Sequence, residues 1–265
     1  DSGVAISDLS ASVRDYARGL FVENTGTTDP TEHVDVTADE IIMQTPAGVS
    51  LRVLNVSLLD QDITGAAGAS SSGLDVGTIT NSEWYHLYLA WNGTDLVLLL
   101  SLTDDANSVD TGRFNWTHIA YLTPIRMDLN TDILTFETED DYFLPFGDAL
   151  VIHNGIVPTG SWTAVDVSNA LPTNAKEADV SAFDKDGSTS TYFLKNNAAA
   201  YGGRVALGYN QNGTASNLAG SFGFNVYSGG SARVKANRNQ QLLHFSTGSG
   251  SPDYYVIVTG FTIRR

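Results

Sequence analysis

Five histidines, 30 carboxylates and no cysteine define the chemistry open to this 265-residue chain. Without cysteine there are no disulfides, no thiolate catalysis and no cysteine-ligated zinc. The histidines are His33, His86, His118, His153 and His244. No two of them stand at metal-ligand spacing on one element, and there is no HExxH. GxSxG, GxxxxGK[ST] and GxGxxG are also missing, so nucleophile elbows, P-loops and dinucleotide turns have no support. His86 falls inside a strand pattern, Trp84 to Trp91, on the face opposite Tyr85. There an imidazole is expected to hydrogen-bond a neighbour rather than ligate or catalyse.

The acidic run Glu137, Glu139, Asp140 and Asp141 is the best candidate for carboxylate chemistry. Paired carboxylates run glycoside hydrolysis when roughly 5 Å, or roughly 6.5–9.5 Å, apart. Grouped carboxylate oxygens can instead hold calcium. Two residues apart on a strand, Glu137 and Glu139 share one face, and such pairs are also commonly just solvated. Asp184-Lys185-Asp186-Gly187 begins like a calcium loop but lacks the third oxygen ligand and the later Glu, so a hairpin turn is the better reading. No metal, cofactor or catalytic residue is therefore assigned. Arg233, Lys235 and Arg238 form the one basic cluster, suited to an acidic glycan or an acidic neighbouring face, or to plain solvation. Asn55, Asn92, Asn115 and Asn212 head Asn-X-Ser/Thr triplets, which carry little without a secretory context.

Charge is unevenly spread. Residues 1–150 hold five arginines, no lysine and 24 acids, a net of −19, whereas residues 151–265 net +3. Such a shift predicts two modules. The acidic half repels phosphate backbones and anionic lipid, so nucleic acid is not an expected partner. No apolar run approaches 18 residues, so no helical membrane insertion is expected. The chain opens on Asp1, without Met and without a signal-peptide pattern, and is read as processed or as part of something longer.

The elements that must position these groups are mostly strands. Leu9, Val13, Tyr16 and Leu20 follow a helical spacing, with Ser7 as a cap, and predict a short helix over 7–20 or the end of a stalk. Beyond it the expected strands are 51–58, 84–91, 95–102, 114–122, 133–137 and 142–146. A second series covers 162–167, 178–183, 191–195, 204–209, 221–227, 232–236, 242–246 and 254–263. Asn92-Gly93 between two apolar runs predicts a tight hairpin with both residues at positive φ. The strand after it, DLVLLLSL, is apolar on both faces and is expected in the middle of the sheet. Tight turns are expected at Asp186-Gly187 and Ser228-Gly229-Gly230, and a module boundary at His153 to Gly160. The expected class is all-β: two tandem antiparallel β-sandwich, jelly-roll-like modules, 21–152 and 155–265, after the helical segment 1–20.

Residues 18–140 resemble a segment of phage tail-fibre and related virion fibre proteins. The likeness runs in order through Gly19-Leu20-Phe21-Val22, the turn ENTGTTDPTEH, and Val34 to Asp39, which is similar to "DIDIAAG" strands. It continues through a strand ending Leu58-Leu59-Asp60 and a small-residue loop to Ser72 to Ile79. Tyr85 to Leu89 is similar to "YHVWLI", and Leu98 to Thr103 to "ALFSLSAT". "GLDxGxI…WYHxxL" is the most specific part. The chain departs from the family at an acidic turn (Asp104, Asp105, Asp110) and at Phe114 to Leu122, which lacks the usual basic pair. The resemblance implies a non-enzymatic protein of the virion, homotrimeric, contacting other virion proteins and host surface polysaccharide. A tail-fibre or receptor-binding protein is the first reading. A capsid-decorating head fibre, a polysaccharide-degrading tailspike and a bacterial surface adhesin stand as alternatives. The absence of short β-helix repeats counts against the tailspike. In that reading the second module is distal. Its loops 196–203 and 210–220 hold the binding groups Tyr201, Tyr209, Asn210 and Asn212, with Arg233, Lys235 and Arg238 adding charge. Ring faces cover the apolar side of a sugar while amides bond its hydroxyls.

Overall fold

The computed structural model describes residues 16–65, 71–109, 115–146, 150–185, 191–196, 205–209, 228–235, 241–247 and 253–263. The protein is all-β and mostly antiparallel, with no α-helix and no closed barrel among these residues. It divides into two compact units, residues 1–148 and 149–264.

The first unit contains β1 (Ala17–Arg18), β2 (Phe21–Glu23), β3 (His33–Gln44), β4 (Ser50–Asp62), β5 (Gly73–Leu74), β6 (Trp84–Trp91), β7 (Leu96–Ser101), a 3-10 turn at Ala106–Ser108, β8 (His118–Arg126), β9 (Phe136–Glu139) and β10 (Tyr142–Pro145). Their ladder order is β10-β9-β2-β3-β8-β6-β7-β5, with β1 and β4 also paired to β3. Every pair is antiparallel except β5 with β7. The core follows from composition: β6 and β7 are buried along almost their whole length, and Tyr85, Tyr88, Phe136 and Phe143 are fully enclosed. Phe136 and Phe143 stack at 5.1 Å, and Trp84 meets Phe143 edge-on at 5.9 Å, both favoured ring geometries.

The second unit contains β11 (Leu150–Ile156), β12 (Thr163–Asp166), β13 (Ala175–Asp184), β14 (Thr191–Asn196), β15 (Val205–Tyr209), β16 (Ser228–Lys235), β17 (Gln241–Thr247) and β18 (Asp253–Ile263). They form two ladders, β16-β13-β18-β11 and β12-β17-β14-β15. Alternation along β18 buries Tyr254, Val256 and Val258, and beyond the register shift at Thr259 it buries Phe261 and Ile263.

Several expectations are corrected. The helix expected over 7–20 is not present where the chain is described: Ala17–Arg18 is a strand registered on Ile41 and Glu40. The Tyr16 carbonyl accepts from Ile42 N at 2.8 Å, so backbone bonds go to a neighbour strand instead of a helix. Leu9 and Val13 lie outside the described residues. The Asn92-Gly93 turn is a four-residue loop. Only Gly93 has positive φ (101°), because the Asn92 side chain accepts from Thr94 N and Asp95 N and stabilises a wider Asx turn. β7 is buried on both faces yet stands next to the ladder's end, with only two-residue β5 beyond it. Apolar residues on both faces report covering layers, not ladder position. β8 starts four residues later than expected and runs on through Pro124, where only β6 pairs with it; β3 meets β8 at Ile119 alone. A missing N–H is tolerated at such a position. Ser228-Gly229-Gly230 opens β16 rather than turning, with Gly229 opposite Phe183. Strand β11 occupies the segment through Ile156 that was expected to begin the boundary. The strand expected at 221–227 and the turn Asp186-Gly187 lie outside the described residues.

Candidate functional site

The pairing of β3 with β4 gathers charged groups that are far apart in the chain. His33 is registered on Asp62, and the Glu32, His33 and Asp62 ligand atoms lie within 4.8 Å of one another. Among the described residues this is the one group of metal-ligating type. Its hydrogen bonds hold it together as it stands. His33 Nδ1 meets Asp60 Oδ1 at 2.9 Å, and Asp60 also accepts from Thr28 N and Oγ1. These donors hold the Asp60 carboxyl down at about 2, chiefly through His33, and the same contact raises the His33 pKa. Asp60 sits at φ 55°, in a bulge opposite Asp35, whose Oδ1 accepts from Asp60 N at 2.6 Å. Asp62 caps the next turn by accepting from Thr64 N, Thr64 Oγ1 and Gly65 N. A cleft of about 420 Å³ opens beside the cluster, walled by Glu32, Thr64, Gly65, Thr131 and Asp132.

Chemically the cluster is a set of turn caps around the His33–Asp60 hydrogen bond. A nucleophilic triad needs the imidazole between hydroxyl and carboxylate. Here Asp60 lies in the middle and takes both the Thr28 hydroxyl and the His33 ring. The sequence carries no local signal for this group, because His33 and Asp60 are brought together only by strand pairing.

The acidic run falls on the β9–β10 hairpin. Glu137 and Glu139 share a face while Phe136 and Thr138 are buried. Glu137 is registered on Glu23, and Asp140 makes the turn at φ 49° with its N–H on the Leu20 carbonyl. The run does not converge into a metal group.

The basic cluster is partly neutralised at home. Arg233 on β16 faces Asp179 on β13 and donates Nε and Nη2 to its two oxygens, both at 2.8 Å. Lys235 is registered on Glu177. Tyr209 ends β15, opposite Thr191. Tyr201, Asn210, Asn212 and Arg238 lie outside the described residues.

His86 is buried with Nδ1 3.3 Å from the Tyr121 hydroxyl, in keeping with a core histidine that bonds a neighbour. Burial lowers it to about 4, so the ring is neutral near pH 7. His244, also buried, is lowered to about 4 by burial and then by His153, whose ring lies 4.8 Å away.

The GLDxGxI…WYHxxL stretch is a clasp. The Asp75 N–H bonds the Leu100 carbonyl, and buried Ser101 donates Oγ to Asp75 Oδ2 at 2.7 Å. Ser72 Oγ accepts from Leu98 N and donates to Gln61. Gly77 takes φ 86°, open to glycine at little cost, and Tyr85 OH accepts from Thr80 N at 2.9 Å. Asp75, Ser72 and Tyr85 thus each join one strand or loop to another. No family model matches the chain, and no match is found among curated proteins.

Proposed function

We propose that the chain is a non-enzymatic component of a bacteriophage virion appendage: a homotrimeric fibre or receptor-binding protein built from two tandem β-sandwich modules. The observation that carries this reading is the clasp. In and beside the most specific part of the resemblance to virion fibre proteins, Asp75 bonds Ser101, Tyr85 bonds Thr80 and Ser72 bonds Leu98, so these polar groups tie connecting segments to strands, as in a structural module. That the second unit has two separate ladders supports the sandwich reading, which needs two layers. Host surface glycan is then met by the second unit through its loops, with Tyr201, Tyr209, Asn210 and Asn212 as contact groups. Arg233, Lys235 and Arg238 draw in an anionic polymer. Since Arg233 is already held by Asp179, its share is long-range attraction rather than a direct fork on the glycan.

The test is binding of the labelled full chain to host cells, beside Tyr201→Ala with Asn212→Ala. Saturable binding by the parent and a tenfold or greater loss in the variant are expected. Release of oligosaccharides from host polysaccharide by the parent protein would favour a tailspike. Absence of cell binding while intact virions adsorb normally would favour decoration of the head.

A further inference from the structure

Asparagine followed by glycine is a reactive pair. The next peptide nitrogen lies close to the side-chain carbonyl carbon, and glycine has no Cβ to hinder its approach. Among the described residues the pair occurs twice, at Asn92-Gly93 and at Asn154-Gly155. The fold treats the two differently.

Asn92-Gly93 joins β6 to β7 outside their ladder, whose last registered pair is Trp91 with Leu96. Gly93 is exposed at φ 101°, and a Cβ built on it would meet nothing within 4 Å. Its N–H donates to no acceptor among the described residues. The Asn92 side-chain oxygen accepts from Thr94 N and from Asp95 N, each at 2.8 Å. Two peptide N–H groups on one carbonyl oxygen draw electrons from its carbon, and they bond that oxygen more strongly as it becomes negative. Asn154-Gly155, by contrast, lies inside β11, with Asn154 registered on Tyr255 and Gly155 on Tyr254. Its side-chain oxygen is polarised too, by Lys185 Nζ at 2.8 Å. There, however, swinging the glycine nitrogen onto the side chain means breaking the pairing of β11 with β18.

We propose that Asn92 is a site of spontaneous deamidation through an imide with Gly93, and that its ladder withholds Asn154 from the same reaction. The Gly93 nitrogen loses its proton to hydroxide and attacks Asn92 Cγ, with Thr94 N and Asp95 N holding the oxygen on which negative charge develops. The new N–Cγ bond forms, the Cγ–Nδ2 bond breaks, and the amide nitrogen takes a proton from water and leaves as ammonia. Water then opens the imide at either carbonyl, giving aspartate or isoaspartate. Aspartate keeps an acceptor for the Thr94 and Asp95 N–H groups and adds one negative charge to the turn. Isoaspartate routes the main chain through Cγ and removes that cap from the end of the β6–β7 hairpin.

The test is peptide mapping by mass spectrometry on the full chain, kept folded in weakly alkaline buffer and sampled over days, beside the same chain held in urea. Fragment ions on either side of each asparagine place the mass gain that turns an amide into a carboxyl group. In the folded chain the gain is expected at Asn92 at least about tenfold faster than at Asn154. Isoaspartate, read by its methylation with an isoaspartyl methyltransferase, should be among the products at Asn92. In urea, where neither pair is held by a ladder, the two rates should come within about twofold of each other. Equal rates at the two sites in the folded chain would overturn the proposal, because the fold would then select nothing. Aspartate without isoaspartate would mean direct hydrolysis rather than attack by Gly93. No conversion of folded Asn92 over a period in which the urea-unfolded chain converts would show that the Asx turn protects the amide instead of activating it, and would also overturn the proposal.

Discussion

Strands β4 and β7 are both rich in leucine and valine, and they meet opposite fates. Leu98, Leu99 and Leu100 are fully buried, while Leu54 and Leu59 lie about half open to solvent. β7 is flanked by β6 and strapped by the β5 clasp, and it ends on the buried Ser101–Asp75 bond. β4 has β3 on one side and, among the described residues, no strand on the other. The difference teaches that apolar content decides that a strand wants cover, whereas ladder position and the layers around it decide what supplies that cover. In β7 the chain covers itself. In β4 only Val56 is buried.

The largest effect expected from breaking this contrast comes from cutting back side chains in each strand. Leu99→Ala should cost about 3 kcal/mol in urea unfolding, the range of a buried leucine lost into a packed core. Leu54→Ala, at a half-exposed position, should stay within about 0.5 kcal/mol. Equal costs would erase the distinction.

Acid sharpens the comparison in a second way, because the two regions carry histidines of opposite sign. His86, on the β6 ladder that packs β7, resists protonation down to about 4 while an unfolded chain takes its proton near 6.5. Its contribution is therefore full above pH 6.5 and is lost as pH falls towards 4, amounting to about 2 kcal/mol by pH 5. His33, at the end of β3 against β4, has a raised pKa, so its contribution is present below the unfolded value and is lost as pH rises through the folded one. Urea midpoints at pH 7 and pH 5 should fall in the parent and fall distinctly less in His86→Gln. His244 in the second unit adds a loss of the same sign.

The smallest of these effects belongs to the clasp. Ser101→Ala leaves the buried Asp75 oxygen without its hydroxyl donor and should cost about 2 kcal/mol or somewhat less. Hydrogen exchange should show faster opening at Leu74 and Asp75 than on β3. Protection unchanged at those amides would mean that the motif does not hold β5 to β7.

Much of the strand framework was legible because alternation and turn chemistry are local. β6, β10, β12, β14, β17 and β18 fall within a residue or two of the strands expected from pattern alone. The misses have physical causes. Tyr16 and Leu20 fit a helical stripe, but backbone pairing with β3 offered the same segment a better set of hydrogen bonds. Asn92-Gly93 marked a turn correctly, while the Asn92 side chain chose its type. His33 and Asp60 made no pattern at all, since only the β3–β4 register, with its bulge at Asp60, places them 2.9 Å apart.

By itself, the amino-acid sequence determined an all-β chain with an acidic first half, without thiol chemistry and without the common catalytic motifs, because composition and nearest-neighbour preference need no partner to be read. Only the tertiary structure decided which apolar strand is buried and which is left open. It also decided that Arg233 spends its charge on Asp179 and that Asp75 is a structural carboxylate. Those outcomes depend on residues tens of positions apart being brought within hydrogen-bonding distance, and that proximity is a property of strand register, which no local window contains.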